Sequence, residues 1–536
     1  MPIAKRIKRG NIVKLMNLFN KKIPWKNRKS IYMHIRDNID MEGKLTTESL
    51  PDDEVRHQDT ELRWAAGALD GAFGHHGLCS ENDVMLANLT QSIALYGRIN
   101  DKIGFYNIII KDNIVSSIDN VIEQIAKLQV KITQNLYNWL EFLAFESPDR
   151  GAVKTGIALL GAVGAKRFKD QIKILGLHEE FTLYVAVALQ NMCDDPEIEL
   201  WELAKKVHGW GRIHLIERLA ETNDPKIKYW ILTEGYKNSI MYEYLAYIAA
   251  DTGELKRTLS NDNIEDGILL AASDIIQALI NEGPVSGISI YQDAAQTIKL
   301  YIKHTLGKRD NLSYLLTYDS VYEYVTENDA DWENLIENGW NEEIRNEIAK
   351  TLREEIKNKI WIELVIKSAK AENVIDFWII NRAAKILSIN LFNIHWERLK
   401  KDSLNQTIWF DVMNSVTNEH IDEILEYAIK TIPLTAISTG ADEIMGLGNE
   451  YKLHSIIDFI VQSLDKYEGK GEGIILATLK SPVIRNRNMA IRTLDNWSIE
   501  YITKELKDAI KDAEKIEPNE EVKERLNKLL AKFEKC

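Results

Sequence analysis

One short segment of this 536-residue chain carries side chains that could bind a ligand or take part in catalysis. Residues 63–77 are rich in glycine and alanine, which let a ligand or another helix approach the backbone closely. Histidine acts as a general base or a metal ligand near neutral pH, so the segment is a candidate pocket. Its candidate residues are Arg63, Trp64, Asp70, His75 and His76.

The spacing within this segment argues against a metal centre. Adjacent histidines point to different sides of a helix, and no Glu or His lies four residues from His75 or His76. Tight helix packing around structural histidines explains the segment equally well. We therefore predict no metal site and no cofactor, and whether the chain is an enzyme stays open.

Three arginines near the C-terminus form a second candidate site. Arg485, Arg487 and Arg492 could line a groove that binds a carboxylate or a phosphate group. The alternative is that each arginine bonds an acid or a carbonyl group of a neighbouring repeat. The glycine-rich run 469–473 lacks the Lys-Ser/Thr ending of a phosphate loop, so we predict a turn between helices there.

The elements that must position these residues are helices with a regular spacing. Asp195-Pro196 and Asp224-Pro225 recur 29 residues apart, and each pair follows one apolar periodic segment and begins another. A polar residue followed by proline marks a helix start, because proline suits the first helical turn. A fixed step of this size indicates stacked two-helix units, which bury their apolar stripes only against neighbouring units.

The repeats carry a resemblance to a known architecture. Ser481-Pro482-Val483-Ile484-Arg485, followed by a small residue and leucine in the next turns, resembles the second helix of a HEAT repeat. Residues 141–310 resemble the short HEAT-like class. The resemblance covers about half of the chain and implies an all-α fold, an α-α superhelix (a HEAT/armadillo-like solenoid) with an N-terminal helical region. It implies no chemistry, because such arrays serve many functions.

Residues 63–77 also resemble, over this one stretch, large helical bacterial proteins labelled limonene hydroxylase. That resemblance implies terpene hydroxylation, yet the sequence has no haem-thiolate motif and no dinucleotide fingerprint. His57-Gln58-Asp59 with a later histidine is the one hint of a two-histidine-one-carboxylate iron site. Oxygen activation needs a metal or a flavin, so this activity has no convincing site in the sequence.

We predict five regions along the chain. One of them is a Trp-rich region in which the regular spacing of helix starts is absent. The last helix of the chain has a single apolar face, which suits a terminal cap of a repeat array. The regions are a basic arm (1–30), an N-terminal helical region (31–140), a repeat array (141–310), the Trp-rich region (311–435) and C-terminal repeats with a capping helix (436–536).

Charge is distributed unevenly along the chain. The first 30 residues hold ten Lys or Arg and no acid, whereas the remainder holds 57 basic and 81 acidic residues, a net charge of −24. A basic arm attracts nucleic acid or an anionic membrane, and it can equally pack on its own acidic body.

The compartment is predicted from cysteines and hydropathy. Cys79, Cys193 and Cys536 are too widely separated for a disulfide framework, which favours a reducing compartment. The sequence shows no transmembrane stretch and no secretory signal, so we expect a soluble, cytoplasmic protein.

Three functions follow as hypotheses. The first is a scaffold or binding protein whose concave surface receives a protein or peptide partner. The second is an enzyme with a pocket near residues 56–77. The third is contact with nucleic acid or an anionic membrane through residues 1–30.

Overall fold

A computed structural model describes residues 23–53, 64–73, 81–111, 113–283, 285–327, 331–371 and 377–534. Within these ranges the chain is helical and forms no strand, only two isolated bridges, which confirms the predicted all-α class. None of the helices in these ranges is long and apolar enough to span a membrane.

The chain divides into two compact units. The first contains the described residues up to 307 together with 320–352, and the second contains 308–319 together with 353–534. The predicted Trp-rich region is therefore shared: Trp332 and Trp340 belong to the first unit, whereas Trp361 and Trp409 belong to the second.

The described part of the first unit starts with six helices. Helix α1 follows Ser30, whose side chain accepts a hydrogen bond from the Met33 N–H and so caps the helix. Between residues 118 and 145 the helical structure is interrupted at Gln129, which has a left-handed backbone (φ 50°). The helices are α1 Ile31–Asp37, α2 Ala68–Phe73, α3 Glu81–Tyr96, α4 Ile99–Ile109, α5 Ile118–Lys127 and α6 Gln134–Phe145.

Ten further helices follow in the described part of the same unit. They are α7 Arg150–Ala162, α8 Lys169–Leu175, α9 Glu179–Met192, α10 Pro196–Ala204, α11 Trp210–Glu217, α12 Pro225–Trp230, α13 Glu243–Asp251, α14 Leu255–Leu259, α15 Asp266–Asn281 and α16 Ala294–Thr305. Helices α10 and α12 begin at the two prolines that follow aspartate. A π-helical turn, Ile231–Gly235, continues α12.

These helices pack in an alternating pattern. Each of α7, α9, α11 and α13 contacts the next odd-numbered helix, α8 packs against α9, and α10 packs against both α9 and α11. Small residues permit the closest approaches. A Cβ atom at Gly156 of α7 would lie 2.5 Å from the Ala144 backbone nitrogen, and one at Gly161 would lie 2.8 Å from Ala188 Cα. Glycine at both positions therefore lets α7 lie directly against α6 and α9.

Two helices contain residues of both units, and eleven more complete the described part of the second. The first two are α17 Leu312–Thr326 and α18 Glu342–Ile356. The others are α19 Lys359–Ala369, α20 Trp378–Ile386, α21 Phe392–Lys401, α22 Gln406–Ser415, α23 Ile421–Thr431, α24 Leu434–Ile437, α25 Lys452–Ser463, α26 Glu472–Thr478, α27 Ile484–Asn496, α28 Lys504–Ile516 and α29 Glu520–Glu534.

The second unit repeats the alternating contacts. Helices α22, α25, α27 and α29 touch in that order, as do α24, α26 and α28. One continuous hydrophobic core runs from Phe392 to Phe533. The apolar stripe of α29 is buried, with Val522, Leu526 and Leu529 at its centre.

Candidate functional site

The structure describes two of the five candidate pocket residues. Arg63, His75 and His76 lie outside the described residues. Trp64 is exposed, whereas Asp70 on α2 is buried. These two side chains therefore lie in different environments.

Asp70 belongs to a buried ion pair that the sequence did not reveal. Lys154 Nζ lies 2.7 Å from Asp70 Oδ2 and donates to Glu180 Oε1 at 2.6 Å. Asn113 donates to the other Asp70 oxygen at 2.7 Å. Lys154 is only 2% exposed, so its charge depends on these two carboxylates for compensation. One lysine of α7 thus joins α2 to α9.

Arg150, one turn earlier on α7, extends the network. Its guanidinium donates to both oxygens of Asp52, at 2.9 and 3.0 Å, and also contacts Asp53. Glu180 Oε2 lies 3.8 Å from Arg150 NH1 and accepts the Gly67 N–H at 3.2 Å. We call Asp52, Asp53, Asp70, Arg150, Lys154 and Glu180 the buried charge cluster.

The electrostatics of the buried charge cluster indicate a structural role. Burial alone would raise the pKa of Glu180, but Lys154 and Arg150 outweigh burial and hold the pKa at about 2. Burial would lower the pKa of Arg150, and Asp52 more than reverses that effect. Every charge faces an opposite charge, so the cluster fastens residues 51–53 and 67–70 to α7 and α9.

The end of the basic arm packs on the body of the protein. Arg28 donates to Asp149 at 2.7 Å, and Tyr106 donates to the same carboxylate oxygen at 2.7 Å. The Trp25 ring lies 4.7 Å from the Tyr106 ring and 5.5 Å from the Trp139 ring. Residues 1–22 of the arm lie outside the described part of the chain.

A cavity of about 270 Å³ lies beside the buried charge cluster, and we call it the loop pocket. Three loops that precede successive odd helices supply most of its wall. A strap of residues 45–48 and Ala65–Ala66 supply the rest. The loop residues are Leu177, His178, Glu179, Lys206, Val207, His208, Gly209, Trp210, Ser239 and Ile240.

Two side chains fix the wall of the loop pocket. His178 accepts the Glu180 N–H on Nδ1 and bonds the Glu48 carbonyl through Nε2 at 3.0 Å, which holds the strap in place. Burial lowers the pKa of His178, so its ring is neutral. Glu179 accepts the backbone N–H groups of His208, Gly209 and Gly211 at 2.5–2.8 Å. Its carboxylate thereby caps α11, where the helix dipole favours negative charge.

Two grooves lie between consecutive even-numbered helices. The first lies between α8 and α10, measures about 330 Å³ and shares Leu177 and Lys206 with the pocket. The second, which we call the aromatic groove, lies between α10 and α12 and measures about 620 Å³. Its wall consists of Trp201, Pro225, Lys226, Tyr229, Trp230, Thr233 and Glu234. Two grooves thus lie between successive even-numbered helices, and the first of them adjoins the loop pocket.

The three C-terminal arginines face acidic groups of the second unit. Arg487 donates to both Glu517 oxygens, at 2.7 and 2.5 Å, and to the Ser481 carbonyl, and this pair is fully buried. Arg485 is paired with Asp458 of α25. Arg492 lies 3.5 Å from Asp465, with 56% of its side chain exposed. Arg485 and Arg487 therefore hold neighbouring helices through acids of the same unit.

His395 makes the stability of the second unit depend on pH. Its ring bonds Asn381 Oδ1 through Nε2 at 3.0 Å and Arg398 through Nδ1 at 2.9 Å. Burial, with a smaller effect of Arg398, lowers the pKa of His395 to about 4. A histidine in the unfolded chain has a pKa near 6.5. Between pH 6.5 and pH 4 the unfolded chain therefore binds more protons at this residue than the folded chain does, and the stability decreases as the pH is lowered. We expect the free energy of unfolding to drop by about 2 kcal/mol between pH 7 and pH 5 through this group.

Denaturant unfolding of the wild type and of His395→Gln at both pH values measures that loss. The glutamine side chain does not titrate, so the variant should lose less stability on acidification. Equal losses in the two proteins would show that His395 is not responsible.

Comparison with known proteins assigns no function to these sites. The sequence matches no protein-family model and no curated protein.

Proposed function

We propose that this chain is a HEAT-like helical-repeat binding protein that receives an extended segment of a protein partner. The observation that carries the proposal is the pair of grooves between consecutive even-numbered helices, α8–α10 and α10–α12, together with the loop pocket that three successive loops line. Each repeat of a helical array offers one such opening, so an extended chain meets them in succession.

Contacts between equivalent loops support the solenoid interpretation. Glu179 bonds residues 208–211, and the Ser239 N–H donates to the His208 carbonyl at 2.8 Å. Further along, Thr252 Oγ1 donates to the Ala220 carbonyl at 2.5 Å. Each bond joins positions about one predicted repeat apart, as expected where every helix pair stacks on the next.

The chemistry of the openings favours a peptide. The aromatic groove combines apolar rings with Lys226 and Glu234, and Tyr229 is 52% exposed in it. The Trp201 and Trp230 ring centroids lie 6.4 Å apart. An exposed aromatic groove with a charged rim resembles the anchor sites that bury one large side chain of a partner. We therefore propose that the aromatic groove receives an apolar anchor residue of the partner. The α8–α10 groove would receive partner side chains of both charges, because acids and lysines line it.

A peptide-display selection tests the proposal. Sequences that bind the wild-type chain are selected and then counter-selected against Tyr229→Ser, whose side chain is exposed and whose loss leaves the core intact. We expect enriched peptides to bind the variant at least 10-fold more weakly, because an anchor contact contributes about 2 kcal/mol. The matched control is Tyr501→Ser, an exposed tyrosine of the second unit. Failure to enrich any peptide, or equal binding to wild type and Tyr229→Ser, would contradict the assignment.

A further inference from the structure

A separate cavity in the first unit is lined mainly by acidic and hydroxyl groups. It measures about 390 Å³ and lies between the end of α15 and the segment that follows α17. Its wall includes the carboxylates of Glu282, Glu327 and Asp331 and the side chains of Ser289 and Tyr324. The cavity is large enough for a small organic group.

In the described part of the chain, the Tyr324 hydroxyl has no hydrogen-bond partner. The residue is 9% exposed, and its ring packs 5.3 Å from Trp332 and 5.5 Å from Trp340. The hydroxyl is buried, and Tyr324 lines the cavity together with Glu282 and Glu327. Burial, followed by the negative charges of Glu282 and Glu327, raises the pKa of Tyr324. A buried phenol normally has a partner, so this hydroxyl points to a missing one.

The acids around this hydroxyl are only partly engaged. Glu282 accepts the Ser289 N–H, and Asp331 accepts the Asn334 side-chain amide at 2.6 Å. Arg345 stacks on the Trp332 ring at 3.9 Å and donates to the Val325 carbonyl. Among the described residues that line the cavity, three carry carboxylates and none carries a cation, which favours a positively charged occupant.

The arrangement selects an extended cation over a metal ion. In the described part of the chain, no three His, Cys, Asp or Glu side chains are arranged to hold a metal. Calcium and magnesium need oxygen ligands within about 2.6 Å of one point. An alkylammonium group instead reaches separated acceptors through three N–H donors on a flexible chain.

We propose that this cavity binds an alkylammonium group that donates to the Tyr324 hydroxyl and to the carboxylates of Glu282 and Glu327. A lysine side chain of a partner protein and a free polyamine share this chemistry. The site is distinct from the peptide grooves and does not depend on their assignment.

Calorimetric titration of the full chain with spermidine, and separately with a short lysine-containing peptide amide, tests the site. We expect saturable binding at one site for at least one of these probes. Tyr324→Phe keeps the ring but removes the hydroxyl, and it should weaken binding about 10-fold, as expected for a hydrogen bond to a charged group. Glu327→Gln changes an exposed side chain, so it should leave the fold intact and also weaken binding about 10-fold.

Glu333→Gln is the matched control, because this exposed acid lies in the same segment but does not line the cavity. Tighter binding of spermidine identifies a free polyamine, and tighter binding of the peptide identifies a partner lysine; either outcome supports the site. Absence of saturation up to about 10 mM would overturn it, since such binding is weaker than about 3 kcal/mol. Equal affinities for wild type, Tyr324→Phe and Glu327→Gln, or displacement of spermidine by equimolar Mg²⁺, would overturn it as well.

Discussion

Replacing Lys154 with Met should destabilise the first unit by about 3–5 kcal/mol, because removing one partner leaves buried opposite charges uncompensated. Asp70 and Glu180 both depend on this ammonium, at 2.7 and 2.6 Å. Methionine fills a similar volume, so the loss reports charge more than packing. Urea unfolding followed by circular dichroism and by exchange protection of α7 and α9 measures it.

The control for this prediction is Lys166→Met. That lysine pairs with Asp194 at the surface, with 60% and 93% of the two side chains exposed, so its loss should cost less than about 1 kcal/mol. Comparable losses for Lys154→Met and Lys166→Met would rule out a dominant role for the buried pair.

Acid titration gives a second readout of the same lysine. Glu180 has a folded pKa of about 2, below the ordinary value of 4.5. Its contribution to stability is therefore complete above about pH 4.5 and is lost as pH falls toward 2. In Lys154→Met the main source of the depressed pKa is absent, so this part of the acid dependence should shrink. An unchanged acid profile would mean that Arg150 alone holds the carboxylate ionised.

Replacing Arg487 with Met should destabilise the C-terminal helices by about 3–5 kcal/mol, because the buried carboxylate of Glu517 would lose the charge that compensates it. The side chains of Arg487 and Glu517 are 1% and 0% exposed, and the pair is bidentate. Glu517 lies between α28 and α29, so we expect both helices to lose exchange protection first. Hydrogen exchange across residues 504–534 is the measurement.

Two further variants make the Arg487 result specific. Arg492→Met removes a half-exposed arginine from the same helix and should cost less than about 1 kcal/mol. The double variant Arg487→Met, Glu517→Leu removes both charges and should recover most of the lost stability, because no unpaired charge remains. If the double variant is as unstable as the single one, packing rather than charge explains the loss.

The candidate pocket shows that the types of neighbouring residues do not by themselves establish a binding site. The glycine-rich surroundings of Asp70 and the histidines that follow it predict a pocket, but Asp70 pairs with Lys154 and Asn113. This engaged acid gives no support to a catalytic role, and Arg63, His75 and His76 lie outside the described residues. The enzyme hypothesis therefore stays a prediction from sequence alone.

The helical class and several helix starts follow from the sequence alone, because they depend on local interactions. Proline at the first turn of α10 and of α12, and the apolar stripe of α29, act within one or two turns of the chain. The charge excess of residues 1–30 is likewise a property of composition.

Which charged side chains pair with one another depends on the packing of distant segments. Lys154 and Arg150 stand in or beside an apolar run, and their partners lie 26 and 98 residues away in the sequence. The local sequence pattern does not distinguish a buried lysine from an exposed one. The free-energy cost of burying the lysine charge is offset by carboxylates that only the packing of distant segments brings close. The openings along α8–α12 and the cavity beside Tyr324 have the same origin: they arise between elements, and no single stretch of sequence contains them.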